Sequence, residues 1–476
     1  MTGIALLLAA AAVGHGIARA GGLPPLPLLV LAGFILGLTG SVPADFLQEA
    51  LVLGITFLVF QAGIELDPSR VRRQKQAALI VGFVQFFLLG GLGLTAAVAL
   101  GFDLHTASYL ALALSASSTL VAVRVLQRRR QLFEPFGRLV IGVLLLQDLL
   151  VILLIPVLTR QPDGAIEVAR GIGATVLMAA IAWLLLRAVL PRVIERLALD
   201  EELLLLFVLS ILFGFLFFAD LLGLPRVSGA FVAGVALSSF PLNGVVRGRL
   251  TSIGDFFSAV FFTALGASLG IPTVDELIQA GLLGAVILLV TPVAVAFIAE
   301  RAGFSARPAI VSGLLLSQAS EFSLVVGLQG LALGNLSPGA FQVIALVTLG
   351  TMVLTPLLTQ DRVVLGLLHL HPSRRGGGPN EPPRDHVLIV GAGSSGMPLL
   401  ETLVIAPRRV IVVDDDPQLV DRIRAAGLEA YRGDATHRGL LRRVGASDAR
   451  VIVSTVSRIE DNEPLLEEAR GVPIFV

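Results

Sequence analysis

Long apolar stretches recur through the first three quarters of this 476-residue chain. Each is close to the roughly 17 to 25 residues that cross the hydrocarbon core of a bilayer as a helix. Hydrophobic residues make up 55% of the chain and charged residues 15%, against about 45–50% and 25% in soluble domains. The sequence therefore predicts an all-α polytopic membrane domain with about thirteen spans, at 2–19, 25–40, 46–63, 77–101, 105–127, 137–159, 168–190, 201–222, 226–240, 252–270, 276–300, 308–333 and 338–358.

Basic residues alternate between the predicted loops in the way that the positive-inside rule requires. If the N-terminus lies outside, the outside loops contain Arg160, Arg170 and Arg226. The inside loops then contain Arg70, Arg72, Arg73, Lys75, Arg124, Arg128, Arg129, Arg130, Arg138, Arg192, Arg196, Arg247, Arg249, Arg301 and Arg307. The first twenty residues lack a basic n-region, so we expect a first span rather than a cleaved signal peptide, and a cytoplasmic C-terminus.

Overall charge and cysteine content exclude several classes of function. The formal net charge is zero, which gives no indication of a nucleic-acid partner. The chain has no Cys, which excludes disulfides, thiolate metal sites and cysteine nucleophiles.

The amino-acid composition of the chain changes after residue 360. Residues 361–384 end in "HPSRRGGGPNEPPR", a composition typical of a linker, so we expect the membrane domain to occupy 1–360. From 385 to 476, short apolar runs begin at "HVLIVGAG" and end at "VPIFV", with helix-length segments between them. This spacing predicts a Rossmann-like α/β domain with five parallel strands. A complete doubly wound sheet has six, so the domain is expected to be incomplete at its C-terminus.

Gln147 and Asp148 lie in the middle of the apolar stretch "GVLLLQDLLVILL". Asp148 is eleven residues from each end of the predicted span 137–159, about 16 Å from either surface. Because an ionised carboxylate there costs several kcal/mol, Asp148 indicates a functional site. The alternative is a protonated Asp that joins two helices by a hydrogen bond, and Gln147 alone could equally be an interhelical hydrogen-bonder.

Two other spans have polar residues at membrane depth, in "LSASSTLVAV" (114–123) and "SGLLLSQASEFSLVVG" (312–327). Secondary transporters build their ion sites from broken helices in corresponding positions of inverted repeats. We therefore expect helix breaks in spans five and twelve, each one span away from an unusual residue, Asp148 in one half and Thr291 in the other. Glu321 could be a partner of Arg301 or Arg307, or part of the transport site.

The α/β region contains Gly391, Gly393 and Gly396 in G-x-G-x-x-G spacing, directly after a predicted strand. The backbone amides of such a turn favour phosphate, and Asp414, at the end of the second strand, is placed to bind a ribose hydroxyl. Asp415 adds negative charge against a 2′-phosphate. The motif predicts a site for AMP or NAD(H), although a sheet without a ligand is the alternative.

These residues together resemble the monovalent cation:proton antiporters, specifically the Kef-type (glutathione-gated potassium efflux) branch. The resemblance is in "FLVFQAGIELDPSRVR", "SASSTLVAVRVLQRRRQLFEPFGRLVIGVLLLQDLLVI", "SGAFVAGVALS" and "LSQASEFSLVV". The last domain resembles the RCK (or KTN) regulatory domain of these transporters. The resemblance implies a homodimer in the bacterial inner membrane that moves its ions by an elevator-type mechanism.

The resemblance also implies roles for individual residues. Asp148 falls on the residue that binds the cation and the proton, and Gln147 falls where sodium/proton antiporters have a second Asp. Thr291 falls where many relatives have Lys, and "SQASEF" replaces the usual "SQGGEF". The crossing helices correspond to Ser117, Ser118 and Thr119, and to Ser317, Gln318 and Glu321. The nucleotide contacts correspond to Gly391, Gly393, Ser394, Ser395, Gly396, Asp414, Asp415, Asp434 and Ala435.

The expected function is nucleotide-regulated, electroneutral exchange of potassium for protons, with a potassium or sodium ion at Asp148 and no enzymatic activity. One carboxylate can hold a proton or a cation but hardly both, because a bound cation favours the ionised form. Sodium/proton exchange is the alternative. A ligand-gated potassium channel would need a T-V-G-Y-G filter, which the sequence lacks, and a membrane-anchored oxidoreductase would need a substrate domain.

Overall fold

The computed structural model of the protein describes residues 2–21, 25–65, 76–132, 134–160, 165–185, 201–238, 244–304, 306–370, 382–393, 409–433, 438–456 and 459–476. The chain divides into two compact units, Met1–Thr291 with Leu314–Leu357, and Pro292–Gly313 with Leu358–Val476. The helices up to residue 370 are α1 Thr2–Gly21, α2 Pro25–Leu38, α3 Ala44–Glu65, α4 Gln76–Ala99, α5 Leu104–Ser115, α6 Thr119–Arg128, α7 Pro135–Thr159, α8 Ala165–Leu184, α9 Glu201–Leu221, α10 Arg226–Ser238, α11 Gly244–Ser268, α12 Val274–Arg301, α13 Ala306–Leu315, α14 Glu321–Ala332, α15 Pro338–Leu358 and α16 Asp361–Leu370.

All thirteen predicted spans fall on helices. Within the described residues, nine helical segments are long and apolar enough to cross a membrane, with α5 and α6 counted as one. The remaining apolar helices are shorter and correspond to α2, α10, most of α11, and the pair α13 and α14. The predicted membrane fold is therefore confirmed. The first ten residues of the predicted linker 361–384 form helix α16.

Both predicted helix breaks are present. Between α5 and α6, residues 116–118 are not helical, and between α13 and α14 the same holds for residues 316–320. Serine side chains start the second half of each pair: Ser118 accepts a hydrogen bond from the backbone N–H of Val121, and Ser320 from that of Phe322. Serine competes with the helix for backbone groups and is favoured at such caps, which explains why the helices break at these polar clusters.

The broken helix α5 starts at a charged cap. Asp103 accepts hydrogen bonds from the backbone N–H groups of His105 and Thr106, both at 3.0 Å. These donors hold the pKa of the Asp103 carboxyl below its ordinary value, because they stabilise the ionised form. The first half of the interrupted span is therefore fixed at its N-terminal end.

Glycines allow close approach between pairs of helices in the first unit. A Cβ on Gly33 of α2 would lie 1.9 Å from the carbonyl oxygen of Thr263 in α11. A Cβ on Gly234 of α10 would lie 2.2 Å from the carbonyl oxygen of Phe60 in α3. In lipid, helices associate through this kind of backbone contact rather than through the hydrophobic effect. The pairs α2–α11 and α3–α10 are thus held at backbone contact distance.

Five parallel strands form the sheet of the C-terminal region, in the order β3-β2-β1-β4-β5. One face of the sheet packs Leu388, Val390 and Ile452 against the helices after β3 and β4, and the other packs Ile389 and Val412 against α17. This is the predicted five-stranded doubly wound arrangement, with the switch in strand order beside β1. Its elements are β1 Val387–Val390, β2 Val410–Asp414, α17 Pro417–Ala425, β3 Glu429–Arg432, α18 Arg438–Arg443, β4 Val451–Ser454, α19 Ile459–Glu468 and β5 Ile474–Phe475.

We expect Gly33→Ala to destabilise the membrane unit by about 1–3 kcal/mol, because the new Cβ overlaps backbone that cannot move aside. Gly16→Ala in α1 is the matched control, since a Cβ there meets no atom within 4 Å. The measurement is thermal unfolding of the purified protein in detergent. Equal melting temperatures for the two variants would contradict the assigned close contact between α2 and α11.

Candidate ion-binding and nucleotide-binding sites

The two helix breaks contact each other through side chain to backbone hydrogen bonds. Ser117 of the first break donates its hydroxyl proton to the carbonyl oxygen of Leu316 in the second, at 2.6 Å. In the other direction, the Gln318 amide donates to the carbonyl oxygen of Ser118 at 3.4 Å. Ser323 also donates to the carbonyl oxygen of Ala113, which lies in α5. The two broken helices therefore meet at their interruptions, as predicted.

Asp148 lies on α7 beside the first break. Its Oδ2 accepts a hydrogen bond from the hydroxyl of Thr119 at 3.0 Å, and the residue is 4% exposed. Its other oxygen, Oδ1, is buried and has no partner in the part of the chain that the structure describes. Because a buried carboxylate without a partner is costly, this oxygen requires a proton or a cation.

Gln147 holds the backbone of the same break. Its Oε1 accepts a hydrogen bond from the backbone N–H of Ser117 at 3.0 Å, and the residue is fully buried. Its Nε2 has no partner among the described residues. Gln147 thus supports the non-helical backbone next to Asp148.

Gln85 on α4 is a further residue of this site, and the sequence reasoning missed it. The residue is fully buried, and its Nε2 donates to the hydroxyl oxygen of Ser117 at 3.1 Å. Its Oε1 has no partner in the described ranges. An isolated amide in the apolar stretch "GFVQFFLL" was the available signal.

Glu321 is the first residue of α14 and is 4% exposed. The carboxyl group lies near the Ser118 side chain and the backbone of Leu120, and it interacts electrostatically with Asp148. The carboxyl group therefore lies close to the N-terminal ends of both α6 and α14, where helix dipoles favour negative charge. Its Oε2 is buried without a partner among the residues described.

The other residues predicted for the second half differ in their contacts. Gln318 donates to the carbonyl oxygen of Leu315 at 3.0 Å, in addition to that of Ser118. Ser317 donates to the carbonyl oxygen of Leu314, in the last turn of the preceding helix α13. Thr291 is fully buried, but its hydroxyl has no hydrogen-bond partner in the described chain. We call the contact between the two breaks, residues 116–118 and 316–320, the crossing. Hydrogen bonds connect Gln318 to the other half of the crossing, whereas the described residues show no such bond from the side chain of Thr291.

In the C-terminal sheet, Asp414 ties the glycine turn to the end of β2. Its carboxylate accepts from the backbone N–H of Ala392 at 2.6 Å and from that of Asp416 at 2.8 Å. Burial raises the pKa of Asp414 above its ordinary value, although these two donors act in the opposite direction. The acidic residue predicted to bind ribose is therefore also the residue that fixes the turn.

The turn itself begins with a left-handed glycine. Gly391 has φ +82°, and a Cβ there would lie 2.7 Å from the hydroxyl oxygen of Thr455. A Cβ on Gly393 would meet open space, and Asp415 is exposed. The described part of the turn therefore has open space beside Gly393. The other predicted contacts, Ser394, Ser395, Gly396, Asp434 and Ala435, lie outside the described residues.

Comparison with known protein families gives two matches along the chain. The model "Sodium/hydrogen exchanger, transmembrane" matches residues 4–360, and the TrkA-N domain matches residues 387–473. The chain belongs to the sodium/hydrogen exchanger family. The first match covers both helix breaks and Asp148, so the crossing lies in the transport domain of a cation:proton antiporter.

Individual relatives agree with this assignment over both domains. The glutathione-regulated potassium-efflux system protein KefC of Shigella flexneri serotype 5b (strain 8401) is 27% identical over 460 residues, covering 92% of this chain and 72% of the relative. The protein of the same name from Escherichia coli (strain K12) is 26% identical with the same coverage. The resemblance to the Kef-type branch is confirmed. The antiporter is an integral membrane protein, and its bacterial relatives support a location in the inner membrane.

We expect Ser117→Ala to destabilise the antiporter more than Thr348→Val does. The first change leaves the Gln85 amide and the Leu316 carbonyl without a partner, at a cost of about 1–3 kcal/mol for each buried group. Thr348 is also fully buried, but among the described residues its hydroxyl bonds only to the carbonyl oxygen of Ile344, one turn earlier in α15. Thermal unfolding in detergent compares the two variants, and a smaller loss for Ser117→Ala would contradict the central position of this hydroxyl.

Proposed function

We propose that the antiporter exchanges potassium for protons and that Asp148 holds the two ions alternately. The observation that supports this is the buried Oδ1 of Asp148, which lacks a partner while Oδ2 is bound to Thr119. A proton on Asp148 satisfies this oxygen in one half of the cycle, and a dehydrated cation satisfies it in the other. Since each ion displaces the other, movement of the loaded site in both directions gives coupled antiport.

Exchange of one cation for one proton is electroneutral, and the neutral side chain of Gln147 supports this stoichiometry. A second exchanging carboxylate at position 147 would allow two protons for each cation. The nearby Glu321 is a second buried carboxyl group, at the start of α14. We assign the exchange of ions to Asp148, and electroneutral exchange then requires that Glu321 keeps one protonation state through the cycle.

Potassium is proposed as the cation on two grounds. The relatives that match both domains are named potassium-efflux proteins. Apart from Glu321, the groups described around Asp148 are hydroxyls and amides, and such groups suit a weakly hydrated cation. Sodium is the second candidate, since the family model is that of sodium/hydrogen exchangers.

The contact between the two helix breaks also supports an elevator-type movement. Hydrogen bonds from Ser117, Gln318 and Ser323 join the two broken helices, so both breaks would move with the bound ion as one body. We propose that this body moves against a fixed scaffold in a homodimer, with the N-terminus outside and the C-terminal domain in the cytoplasm.

We expect Asp148→Asn to abolish exchange, because an amide neither releases a proton nor neutralises a cation. The assay uses proteoliposomes with an internal pH dye, pulsed with potassium and then with sodium, and a potential-sensitive dye to test electroneutrality. Asp45→Asn is the matched control, as Asp45 is exposed in the first turn of α3. Proton movement in response to potassium that survives in Asp148→Asn would contradict the assignment, and a response to sodium alone would favour the second candidate.

We further propose that residues 385–476 regulate transport by binding an adenine nucleotide, either AMP or NAD(H). The support is the TrkA-N match, the glycine turn fixed by Asp414, and the strand order of a dinucleotide-binding sheet. When bound, the nucleotide would place its phosphate at the Gly391–Gly393 turn and its ribose near Asp414. Such a ligand acts by binding two conformations of the protein unequally.

We expect AMP or NADH, but not NADPH, to raise the melting temperature of the purified antiporter, since Asp414 and Asp415 repel a 2′-phosphate. Asp414→Ala should remove this increase, because it releases the turn and deletes the ribose acceptor. Asp421→Ala is the control: Asp421 pairs with Arg424 on the surface of α17. Stabilisation by NADPH equal to that by NADH would contradict the proposed specificity, and no stabilisation by any of them would contradict the site.

A further inference from the structure

We propose that Gln85 supplies its amide oxygen as a ligand to the transported cation. This inference rests on the proposed exchange function and adds a fourth helix, α4, to the site. It follows from the direction of the hydrogen bonds around Ser117, which fixes which end of each neighbouring amide is free.

Ser117 has one hydroxyl proton, and the structure assigns that proton to the carbonyl oxygen of Leu316, at 2.6 Å. A carbonyl oxygen only accepts, so this proton cannot be shared with Gln85. The hydroxyl oxygen of Ser117 must then accept from Gln85, and the atom at 3.1 Å is the donor Nε2. The remote end of the Gln85 side chain is therefore the oxygen.

The same reasoning fixes the two other amides at the crossing. Gln318 contacts the carbonyl oxygens of Ser118 and Leu315, so its donor end faces them and its oxygen is free. Gln147 contacts the backbone N–H of Ser117, so its oxygen is bound and its free end is the NH₂ group. A free NH₂ group repels a cation, and Gln147 therefore acts by holding the break rather than as a ligand.

The free atoms around the break form a set in which acceptors predominate. Asp148 and Glu321 each contribute one buried oxygen without a partner, and Gln85 and Gln318 each contribute an amide oxygen. The other polar atom of each side chain interacts with residues 117–119: Gln85 with Ser117, Asp148 with Thr119, and Gln318 and Glu321 with Ser118. Buried acceptors without donors are costly, and a dehydrated cation is the ligand that satisfies several of them at once.

Gln85 differs from the other acceptors in its position. Asp148 is on α7, and Gln318 and Glu321 belong to the second break, whereas Gln85 approaches from α4. The packing of α4 against this region is tight, since a Cβ on Gly82 would lie 2.8 Å from the Leu146 side chain and one on Gly90 would lie 2.9 Å from the Ser115 hydroxyl oxygen. The amide oxygen is therefore held in place by its helix and not only by Ser117.

The test compares wild type, Gln85→Leu and Gln85→Met in proteoliposome exchange, with Thr348→Val as the control for loss of a buried polar group. We expect both Gln85 variants to raise the apparent KM for potassium about tenfold while the maximal rate stays within about threefold, since the lost interaction is with the bound cation. Thr348→Val should leave both parameters at the wild-type values. An unchanged KM in both Gln85 variants would overturn the inference.

Thermal unfolding in detergent supplies a second readout, in potassium chloride and in choline chloride. We expect potassium to stabilise wild type and to have little effect on the Gln85 variants, whose melting temperatures in choline should stay close to that of wild type. A purely structural Gln85 would give the opposite pattern, with lower melting temperatures in choline and an intact potassium effect. Failure of both variants to fold would also count against the inference, because Met preserves the unbranched shape.

Failure of the inference and failure of the proposed function give different results. If wild type moves no protons in response to potassium or sodium, the exchange function is wrong. If wild type exchanges potassium normally and the Gln85 variants show the same KM and the same potassium-dependent stabilisation, only the role of Gln85 is wrong.

Discussion

The hydrogen bond from Ser117 to Leu316 determines the arrangement of the membrane site. It joins two breaks that lie 199 residues apart in sequence, and it uses the only proton that Ser117 can donate from its side chain. The Gln85 amide must then donate to the hydroxyl oxygen of Ser117. The backbone N–H of Ser117 donates to the side-chain oxygen of Gln147. The hydroxyl of Ser117 thus sets which end of Gln85 is free, and its backbone N–H sets which end of Gln147 is free.

The two buried carboxyl groups have different surroundings, and this difference supports different roles. Glu321 lies at the start of α14 and near the start of α6, where the helix dipoles favour negative charge while burial opposes it. Asp148 lies within α7, where the backbone amides are used by the helix itself, and it has one hydroxyl donor. Both groups have one buried oxygen without a partner among the described residues, but only Glu321 is itself the first residue of a helix, and this supports Asp148 as the exchanging group in the proposed function.

Much of this architecture could be predicted from the sequence, because the physical signals are local. Hydropathy located the spans, and the serine clusters located both breaks, since serine caps interrupt helices directly. Gln85 could not be found in the same way: a single glutamine in an apolar span does not reveal which neighbour it faces. The two hydrogen bonds that the Asp414 carboxylate accepts from the backbone of Ala392 and Asp416 could not be predicted either, because they depend on the folded conformation of the turn.

Thr291 shows where a resemblance and a structure give different kinds of information. The resemblance placed it in the site because relatives have a lysine at that position, which could pair with a carboxylate across the core. Threonine is too short to take that role, and its buried hydroxyl forms no bond within the described residues. Among the described residues, no basic side chain acts electrostatically on Asp148, so under the proposed function the positive charge that balances this carboxylate is the transported proton or cation itself.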